Sequence, residues 1–133
     1  MDIKQLTQRA LNNREKAYAP YSGFKVGAAI LTSDGEIFDG INIENSSYGL
    51  TICAERVAAA EAVAAGKRSF QAIAVACADE GFCRPCGACR QFLAEFSPEM
   101  EIIMVNANGE WESSSLAKLL PFSFSLEGGK KNV

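Results

Sequence analysis

The sequence has no histidine among its 133 residues. An imidazole ring therefore cannot serve as the catalytic base, as the partner of a nucleophile or as a metal ligand. Any proton transfer near neutral pH must rely on a carboxylate, a lysine, a tyrosine, a thiolate or water activated by a metal ion.

A long apolar run and a cluster of basic residues are also absent. No stretch approaches the roughly 20 apolar residues that cross a bilayer, and residues 1–5 do not open a signal peptide. We therefore expect a cytoplasmic protein without a membrane partner. The net charge is −3, and the 13 basic residues are scattered apart from Lys130-Lys131. Nucleic-acid binding relies on clustered positive charge, so we expect no nucleic-acid partner, whereas a small neutral substrate remains possible.

The length and composition are those of one globular domain. Hydrophobic residues make up 48% of the chain and charged residues 22%, which is ordinary for a soluble domain. A chain of this length is near the commonest domain size. We predict a single domain over residues 1–133, with a flexible tail over about residues 126–133.

The apolar pattern predicts alternating helices and strands. Helices are expected over residues 2–18 with Asp2 as N-cap, over 53–66, from Pro85 to about 96, and in a short segment capped by Ser113–Ser115 that ends before Pro121. Strands are expected over residues 25–32 and 36–43, joined by an Asp34-Gly35 turn, and over 70–77, 101–106 and 110–112. The strand over 70–77 is nearly all apolar, which is typical of a central strand after a parallel crossover. This order predicts an α/β fold, a three-layer α/β/α sandwich around a five-stranded mixed sheet.

The cysteines form a pattern typical of a metal site. Five cysteines are an odd number, which argues against a disulfide framework. Cys86 and Cys89 are separated by two residues at the predicted start of a helix, and Cys53 starts another. The helix dipole and free N–H groups at such positions favour thiolates. Three thiolates can hold Zn²⁺ and leave a fourth position open for water, so we predict one zinc ion per subunit, bound by Cys53, Cys86 and Cys89.

Two charged residues beside Cys53 have predicted roles at this metal site. Glu55 lies two positions after Cys53, close enough to move protons between activated water and a substrate without being a ligand. Three thiolates leave zinc with a net negative charge, and Arg56 can offset it by donating hydrogen bonds to the sulfurs. A solvated helix arginine is the alternative for Arg56.

These motifs resemble those of the small homotetrameric cytidine deaminases, whose zinc signature includes a three-cysteine variant. The matching segments are Tyr18-Ala-Pro-Tyr-Ser22, Phe24, Val26-Gly-Ala-Ala29, Gly40, Asn42-Ile-Glu-Asn45, Tyr48, Cys53-Ala-Glu-Arg56, Pro85-Cys-Gly-Ala-Cys-Arg-Gln91 and Leu119-Leu-Pro121. They cover most of the chain in the family's order. The resemblance implies a cytidine deaminase-like fold. It also implies hydrolytic deamination of cytidine and 2′-deoxycytidine to uridine and 2′-deoxyuridine, with release of ammonia, in pyrimidine salvage.

The resemblance implies how a nucleoside substrate would be bound. Asn42 and Glu44 match residues that hydrogen-bond the ribose, and Phe24 matches an aromatic residue that packs on the nucleoside. Backbone groups near Ala54 and Cys86 would supply further hydrogen bonds.

The resemblance also implies a homotetramer with shared active sites. Ser46 and Tyr48 match positions that reach into a neighbouring subunit's site, although relatives often carry alanine at position 46. Phe124 matches a phenylalanine that lies over the base, and Phe122, two residues earlier, is the alternative. Each site would then contain residues from several chains.

Three other interpretations use parts of the same pattern. Cys83 could complete a non-enzymatic four-cysteine zinc site, but Glu55 would then be unexplained. A thiol redox protein could use the Cys86-Gly-Ala-Cys89 motif, but Cys53 would then have no role. A related deaminase could act on single-stranded nucleic acid, which the acidic net charge disfavours, or on a nucleoside antibiotic carrying a cytosine. Otherwise we expect Cys77 to be a core residue and Cys83 to be structurally neutral.

Overall fold

The protein folds into a five-stranded sheet with helices on both faces. Its computed structural model describes residues 1–126. The strands are β1 (Val26–Thr32), β2 (Ile37–Ile41), β3 (Phe70–Cys77), β4 (Glu101–Val105) and β5 (Trp111–Ser115). The helices are α1 (Ile3–Asn13), α2 (Ala54–Ala64), α3 (Gly87–Ala94) and α4 (Leu116–Leu119), with short 3-10 turns at Arg14–Lys16 and Tyr48–Leu50. Leu126 is exposed, and the rest of the predicted tail, residues 127–133, lies outside the described residues.

The sheet is mixed, as predicted, with the strand order β2-β1-β3-β4-β5. β3 and β4 are parallel, whereas β1 is antiparallel to both β2 and β3, and β5 is antiparallel to β4. β2 and β3 therefore run in the same direction, and α2 is the crossover between them. α3 is the crossover between β3 and β4.

The helices form the two outer layers, which confirms the predicted three-layer fold. On one face, α1 packs Leu6 and Ala10 against alternate residues of β3 such as Ala74. On the other face, Ala58 of α2 and Leu93 of α3 pack against the remaining residues of β3, which alternate with those facing α1 and include Ile73. β3 is consequently buried on both faces, as its apolar sequence predicts. Among the described residues, no helix is long and apolar enough to cross a membrane.

The chain topology brings the starts of α2 and α3 to the same edge of the sheet. α2 leads into the amino end of β3, so its own start lies toward the carboxyl end of that strand, where α3 follows. Val26 pairs with Cys77 at that end, and Ile41 pairs with Gly27. The segments before β1 and after β2 therefore lie at this edge too. Ligands of α/β sheets commonly bind outside the carboxyl ends of strands.

Two glycines let helices lie directly on the strands. A Cβ atom added to Gly40 in β2 would lie 2.2 Å from the Ala54 carbonyl oxygen and 2.6 Å from the Ala58 nitrogen of α2. A Cβ added to Gly27 in β1 would meet the Ala10 oxygen of α1 at 2.2 Å on the opposite face. The close approach at Gly40 fixes the first turn of α2, which follows Cys53.

Most of the predicted elements are present, but two helix boundaries were wrong. The first helix ends at Asn13 rather than residue 18 and continues only as a 3-10 turn, although Asp2 caps it as predicted by accepting a hydrogen bond from the Gln5 N–H. The helix predicted from Pro85 begins at Gly87, because Cys86 is its N-cap with an extended backbone (ψ 169°).

The predicted return strand over residues 110–112 was too short. β5 extends from Trp111 to Ser115 because this segment pairs with the whole of β4, from Glu101 to Val105. Ser113 and Ser114 are strand residues, and only Ser115 caps α4, by accepting a hydrogen bond from the Lys118 N–H at 3.3 Å.

Candidate active site

The sulfur atoms of Cys53, Cys86 and Cys89 all lie within 4.8 Å of one another. Cys53 is the N-cap of α2, Cys86 is the N-cap of α3, and Cys89 lies in the first turn of α3. Sulfurs around tetrahedral zinc lie about 3.8 Å apart when the Zn–S bonds are about 2.3 Å. The described residues place Cys83 in the core, outside this group. The four-cysteine alternative therefore lacks its fourth ligand.

The ionisation of these thiols also suits a divalent cation. The pKa of the Cys53 thiol is lowered to about 5, because Cys89 and Arg56 donate hydrogen bonds to its sulfur. The pKa of the Cys89 thiol is raised by the same hydrogen bond to Cys53 and by burial. Ligand thiols must be deprotonated to bind a metal ion, and the lowered pKa of Cys53 favours that form.

Arg56 lies against the sulfur cluster. Its Nη2 donates to Cys53 Sγ at 3.5 Å. Its Nε is buried and has no hydrogen-bond partner among residues 1–126. A buried donor of this kind is costly unless an electron-rich acceptor is close. The arrangement places one positive charge next to the thiolates, where it can offset part of their negative charge.

Glu55 is almost completely buried in the first turn of α2, with 5% of its surface exposed. Burial raises the pKa of its carboxyl to about 7, and the negative charge of Cys53 adds to this effect. A carboxyl that titrates near neutral pH can both accept and deliver a proton, which is what acid–base catalysis requires. Ala54, immediately before it, is also fully buried.

A cavity of about 720 Å³ opens at the same edge of the sheet. It is lined by Tyr21, Ser22, Phe24, Glu44, Asn45, Ser46, Tyr48 and Thr51. Four of these are predicted substrate-binding residues, namely Phe24, Glu44, Ser46 and Tyr48. The volume is in the range typical of small-molecule sites.

The Glu44 carboxylate is held in place in this cavity. Its Oε1 accepts hydrogen bonds from the backbone N–H groups of Tyr21 at 2.9 Å and Ser22 at 3.2 Å. The Ser22 hydroxyl donates to Oε2. The hydroxyl bond and the two N–H bonds lower the pKa of the Glu44 carboxyl. Glu44 is therefore an ionised acceptor with a fixed orientation.

Asn42 is buried, does not line the cavity and is bonded to the backbone. Its Oδ1 accepts from the Val26 N–H at 2.9 Å, and its Nδ2 donates to the Phe24 carbonyl at 2.8 Å. An amide of this kind retains one further hydrogen and one further lone pair. Asn42 thus ties the start of β1 to the end of β2 and keeps capacity for one ligand hydroxyl.

The cysteine cluster and the cavity are linked by one short backbone pairing. Ile43 and Ile52 exchange two hydrogen bonds of 2.9 Å. Ile43 lies between Asn42 and Glu44, and Ile52 directly precedes Cys53. The cysteines and Glu55 do not line the cavity, and neither does Phe124. In one chain, these two parts of the site are therefore neighbours, with Phe124 outside both.

Four residues that support this site have no role predicted from the sequence. Tyr21 and Ser22 orient Glu44, and Arg90 and Gln91 bind the segment that carries Phe124. All four lie inside segments that match the family, which was the available signal. The partners named here are 22 or more residues away in the chain, so these contacts cannot be predicted without the three-dimensional structure.

Known proteins share both the sequence and the fold of this chain. Residues 1–106 match the family model of the cytidine and deoxycytidylate deaminase zinc-binding region. A cytidine deaminase of Sporosarcina psychrophila is 51% identical over 128 residues, covering 96% of this chain and 94% of the relative. One of Halalkalibacterium halodurans is 45% identical, covering 96% and 97%.

Solved structures agree with this relationship. The crystal structure of cytidine deaminase from Burkholderia pseudomallei has 50% sequence identity and a TM-score of 0.90, covering 93% of this chain and all of that one. The cytidine deaminase from Mycobacterium tuberculosis has 36% identity and a TM-score of 0.82, covering 95% and 99%. The chain belongs to the zinc-binding family of cytidine and deoxycytidylate deaminases.

Proposed function

We propose that this protein is a zinc-dependent enzyme that hydrolyses cytidine and 2′-deoxycytidine to uridine and 2′-deoxyuridine, with release of ammonia. The observation that carries this proposal is the meeting of three cysteine sulfurs with a buried carboxyl, Glu55, at the starts of two helices. The names of its relatives point to the same substrate class.

The proposed chemistry divides between the metal and Glu55. Zinc held by Cys53, Cys86 and Cys89 would supply a Lewis acid that activates water for attack at C4 of the cytosine ring. Glu55 accepts the proton of that water and protonates N3 of the ring. It then takes the remaining proton of the added hydroxyl and passes it to the exocyclic amine, so that the C4–N bond breaks, ammonia leaves and C4 keeps the oxygen as a carbonyl. A carboxyl whose pKa lies near 7 suits both transfers.

We propose that Arg56 compensates the charge of the three thiolates. Its hydrogen bond to Cys53 supports this role. Charge withdrawn from the sulfurs leaves the metal more electrophilic, which favours activation of water. Arg56 would therefore affect the rate of the reaction more than the amount of zinc bound.

We propose that Asn42 and Glu44 bind the ribose hydroxyls and that Phe24 packs on the nucleoside. The fixed carboxylate of Glu44 and the remaining capacity of Asn42 support this role. A site built for such bonds strongly disfavours a ligand that lacks them. 2′,3′-Dideoxycytidine, which lacks both hydroxyls, should have a lower kcat/KM than 2′-deoxycytidine, which lacks only the 2′-hydroxyl. An equal kcat/KM for dideoxycytidine and cytidine would contradict this assignment.

We also propose a homotetramer with shared active sites. Several large apolar side chains around the cavity are exposed, which is unusual unless another chain covers them. They are Tyr18, Tyr21, Phe24, Ile43, Tyr48, Leu50 and Ile52. Tyr48 is 90% exposed, and Ser46 and Phe124 are exposed as well. The native mass should be about four times the 14.3 kDa of one chain.

Complementation between inactive variants tests the sharing of sites. A Glu55→Gln chain keeps Tyr48, and a Tyr48→Ala chain keeps Glu55. Refolding the two together should regain activity above that of either alone, because hybrid tetramers would pair an intact Glu55 with a partner's Tyr48. Activity that stays at the level of the separate variants would place Tyr48 in its own chain's site.

We propose a cytoplasmic location for the enzyme. A metal site made of three thiolates must stay reduced to bind its ion, and reducing conditions prevail in the cytosol. Loss of zinc from the purified protein on mild oxidation would support this requirement.

The proposed function is tested by incubating the purified protein with cytidine and measuring ammonia and the loss of the cytosine absorbance. Equimolar uridine and ammonia are expected, and 2′-deoxycytidine should react similarly. A zinc-loaded protein that converts neither nucleoside would contradict the proposal. The search would then turn to other cytosine-bearing substrates, such as nucleoside antibiotics or single-stranded nucleic acid.

A further inference from the structure

Two adjacent residues of α3 bind the C-terminal segment of the described chain. Arg90 donates from Nη1 to the carbonyl of Leu119 at 2.9 Å, and Gln91 donates from Nε2 to the carbonyl of Phe124 at 3.0 Å. Arg90 also donates from Nε to the carbonyl of Pro85 at 2.9 Å. Arg90 directly follows Cys89 and Gln91 is the next residue, both in the helix that carries Cys89.

The segment between these two anchors has an unusual backbone. Phe122 has φ of 55°, and it is the one residue other than glycine with positive φ within residues 1–126. Its side chain is fully exposed, so packing within this chain does not hold it there. Strained conformations of bulky residues persist only where the surrounding structure imposes them. Here the two anchored carbonyls stand on either side of the strained residue.

We propose that Arg90 and Gln91 are positioning residues that clamp the segment Leu119–Phe124 onto α3 and so fix where Phe124 is presented. The clamp joins the helix of two metal ligands to the aromatic residue proposed to lie over the base. Arg90 contacts both the C-terminal segment, through Leu119, and the residue directly before Cys86, through Pro85. Gln91 acts on the C-terminal segment alone. The role of Phe124 in this proposal rests on the proposed function, but the clamp itself does not.

Limited proteolysis measures how firmly the segment Leu119–Phe124 is held, without an assay of the enzyme's activity. Chymotrypsin cleaves after aromatic residues, and mass spectrometry identifies cleavage after Phe122 and Phe124. Gln91→Leu removes the donor at similar size and should raise this cleavage rate about fivefold, as expected for one net hydrogen bond of about 1 kcal/mol. Zinc content should stay unchanged. Gln8→Leu on α1 is the matched control, because within residues 1–126 the Gln8 side chain donates only to its exposed neighbour Asn12. This variant should be cleaved at the wild-type rate.

Kinetics then separate positioning from a general structural effect. Gln91→Leu should raise KM for cytidine severalfold while changing kcat little. In a Phe124→Ala background the same substitution should have no further effect, because the residue that it positions is gone. Equal effects of Gln91→Leu in both backgrounds would overturn the positioning role.

Arg90→Met tests whether the hydrogen bond from Arg90 to Pro85, which precedes Cys86, also stabilises the metal site. It should raise cleavage after Phe122 and Phe124 and also speed zinc loss to a chelator, whereas Gln91→Leu should change cleavage alone. Cleavage at the wild-type rate in Gln91→Leu overturns the clamp, even if Arg90→Met fails to fold. If the wild type does not convert cytidine but Gln91→Leu still loosens the segment, the clamp stands and only the proposed function fails.

Discussion

Replacing Gly40 with alanine tests how closely α2 must approach the sheet for the metal site to form. The added Cβ would lie 2.2 Å from the Ala54 oxygen and 2.6 Å from the Ala58 nitrogen, whereas ordinary contacts begin at 3.4 Å. Both neighbours are backbone atoms, so no change of side-chain rotamer relieves the clash. The helix must therefore move by about 1 Å, and overpacked cores do relieve such clashes by backbone shifts.

The cost follows from that displacement. Overpacking a core typically costs about 1–3 kcal/mol, which corresponds to a Tm lower by about 3–12 °C for a chain of this size. A shift of Ala54 also moves Cys53 and Glu55 on either side of it. A misplacement of about 1 Å can reduce catalysis by about 100-fold. We expect Gly40→Ala to lose activity and zinc beyond what its loss of stability explains.

Gly27→Ala is the matched control on the opposite face of the sheet. Its added Cβ would meet the Ala10 oxygen at 2.2 Å and the Arg14 nitrogen at 2.6 Å, the same distances as at Gly40. Thermal unfolding, zinc release to a chromogenic chelator and cytidine turnover at 25 °C would be measured for both variants. Both should lose similar stability, but only Gly40→Ala should release zinc faster. Equal zinc retention and activity in the two variants would refute the reasoning.

Three further perturbations have defined outcomes. Arg56→Gln should lower cytidine turnover more than zinc content, and an unchanged turnover would contradict charge compensation. At Asp39, burial raises the pKa of the carboxyl, but hydrogen bonds from Arg9 and Asn13 outweigh it and leave the pKa below its usual value. The resulting stability, less than about 1 kcal/mol at this partly exposed site, is present above about pH 4 and lost as the pH falls through the folded-state pKa. Asp39→Asn should therefore show a flatter fall of Tm in acid than the wild type, and parallel curves would contradict this. Phe122→Gly should raise Tm by a few degrees, since positive φ costs a side chain about 1–2 kcal/mol and glycine adds less than about 1 kcal/mol of unfolded-state entropy. A lower Tm would mean that the phenylalanine packs against another chain.

The parts of this protein that could be predicted from its sequence are those encoded by local spacing. Cys86 and Cys89 lie one helical turn apart, so a shared position at a helix start follows from the sequence alone. The apolar run over residues 70–77 likewise predicts a strand buried on both faces, as β3 is. Asp34-Gly35 predicts the hairpin, and Gly35 does adopt φ of 92° there.

The features that could not be predicted depend on partners distant in the chain. The serines over 113–115 favour a helix cap locally, but all three pair with the edge of β4 and only Ser115 also caps α4. The burial of Glu55, and with it the raised pKa, results from packing of α2 on the sheet, which the residue's neighbours in sequence do not reveal. The contact of Arg90 with Leu119 likewise arises only when α3 and α4 come together.

The central claim is that the three cysteines hold the metal while Glu55 moves the protons. Replacing Glu55 with glutamine keeps the size and burial of the side chain and removes only its ability to carry a proton. Cytidine turnover and zinc content should be measured on the same preparations of wild type and variant. We expect one zinc per chain in both and a loss of turnover in the variant of at least about 100-fold, within the range typical of a lost general acid–base group. A zinc-loaded Glu55→Gln variant that still converts cytidine at a rate close to wild type would contradict this claim.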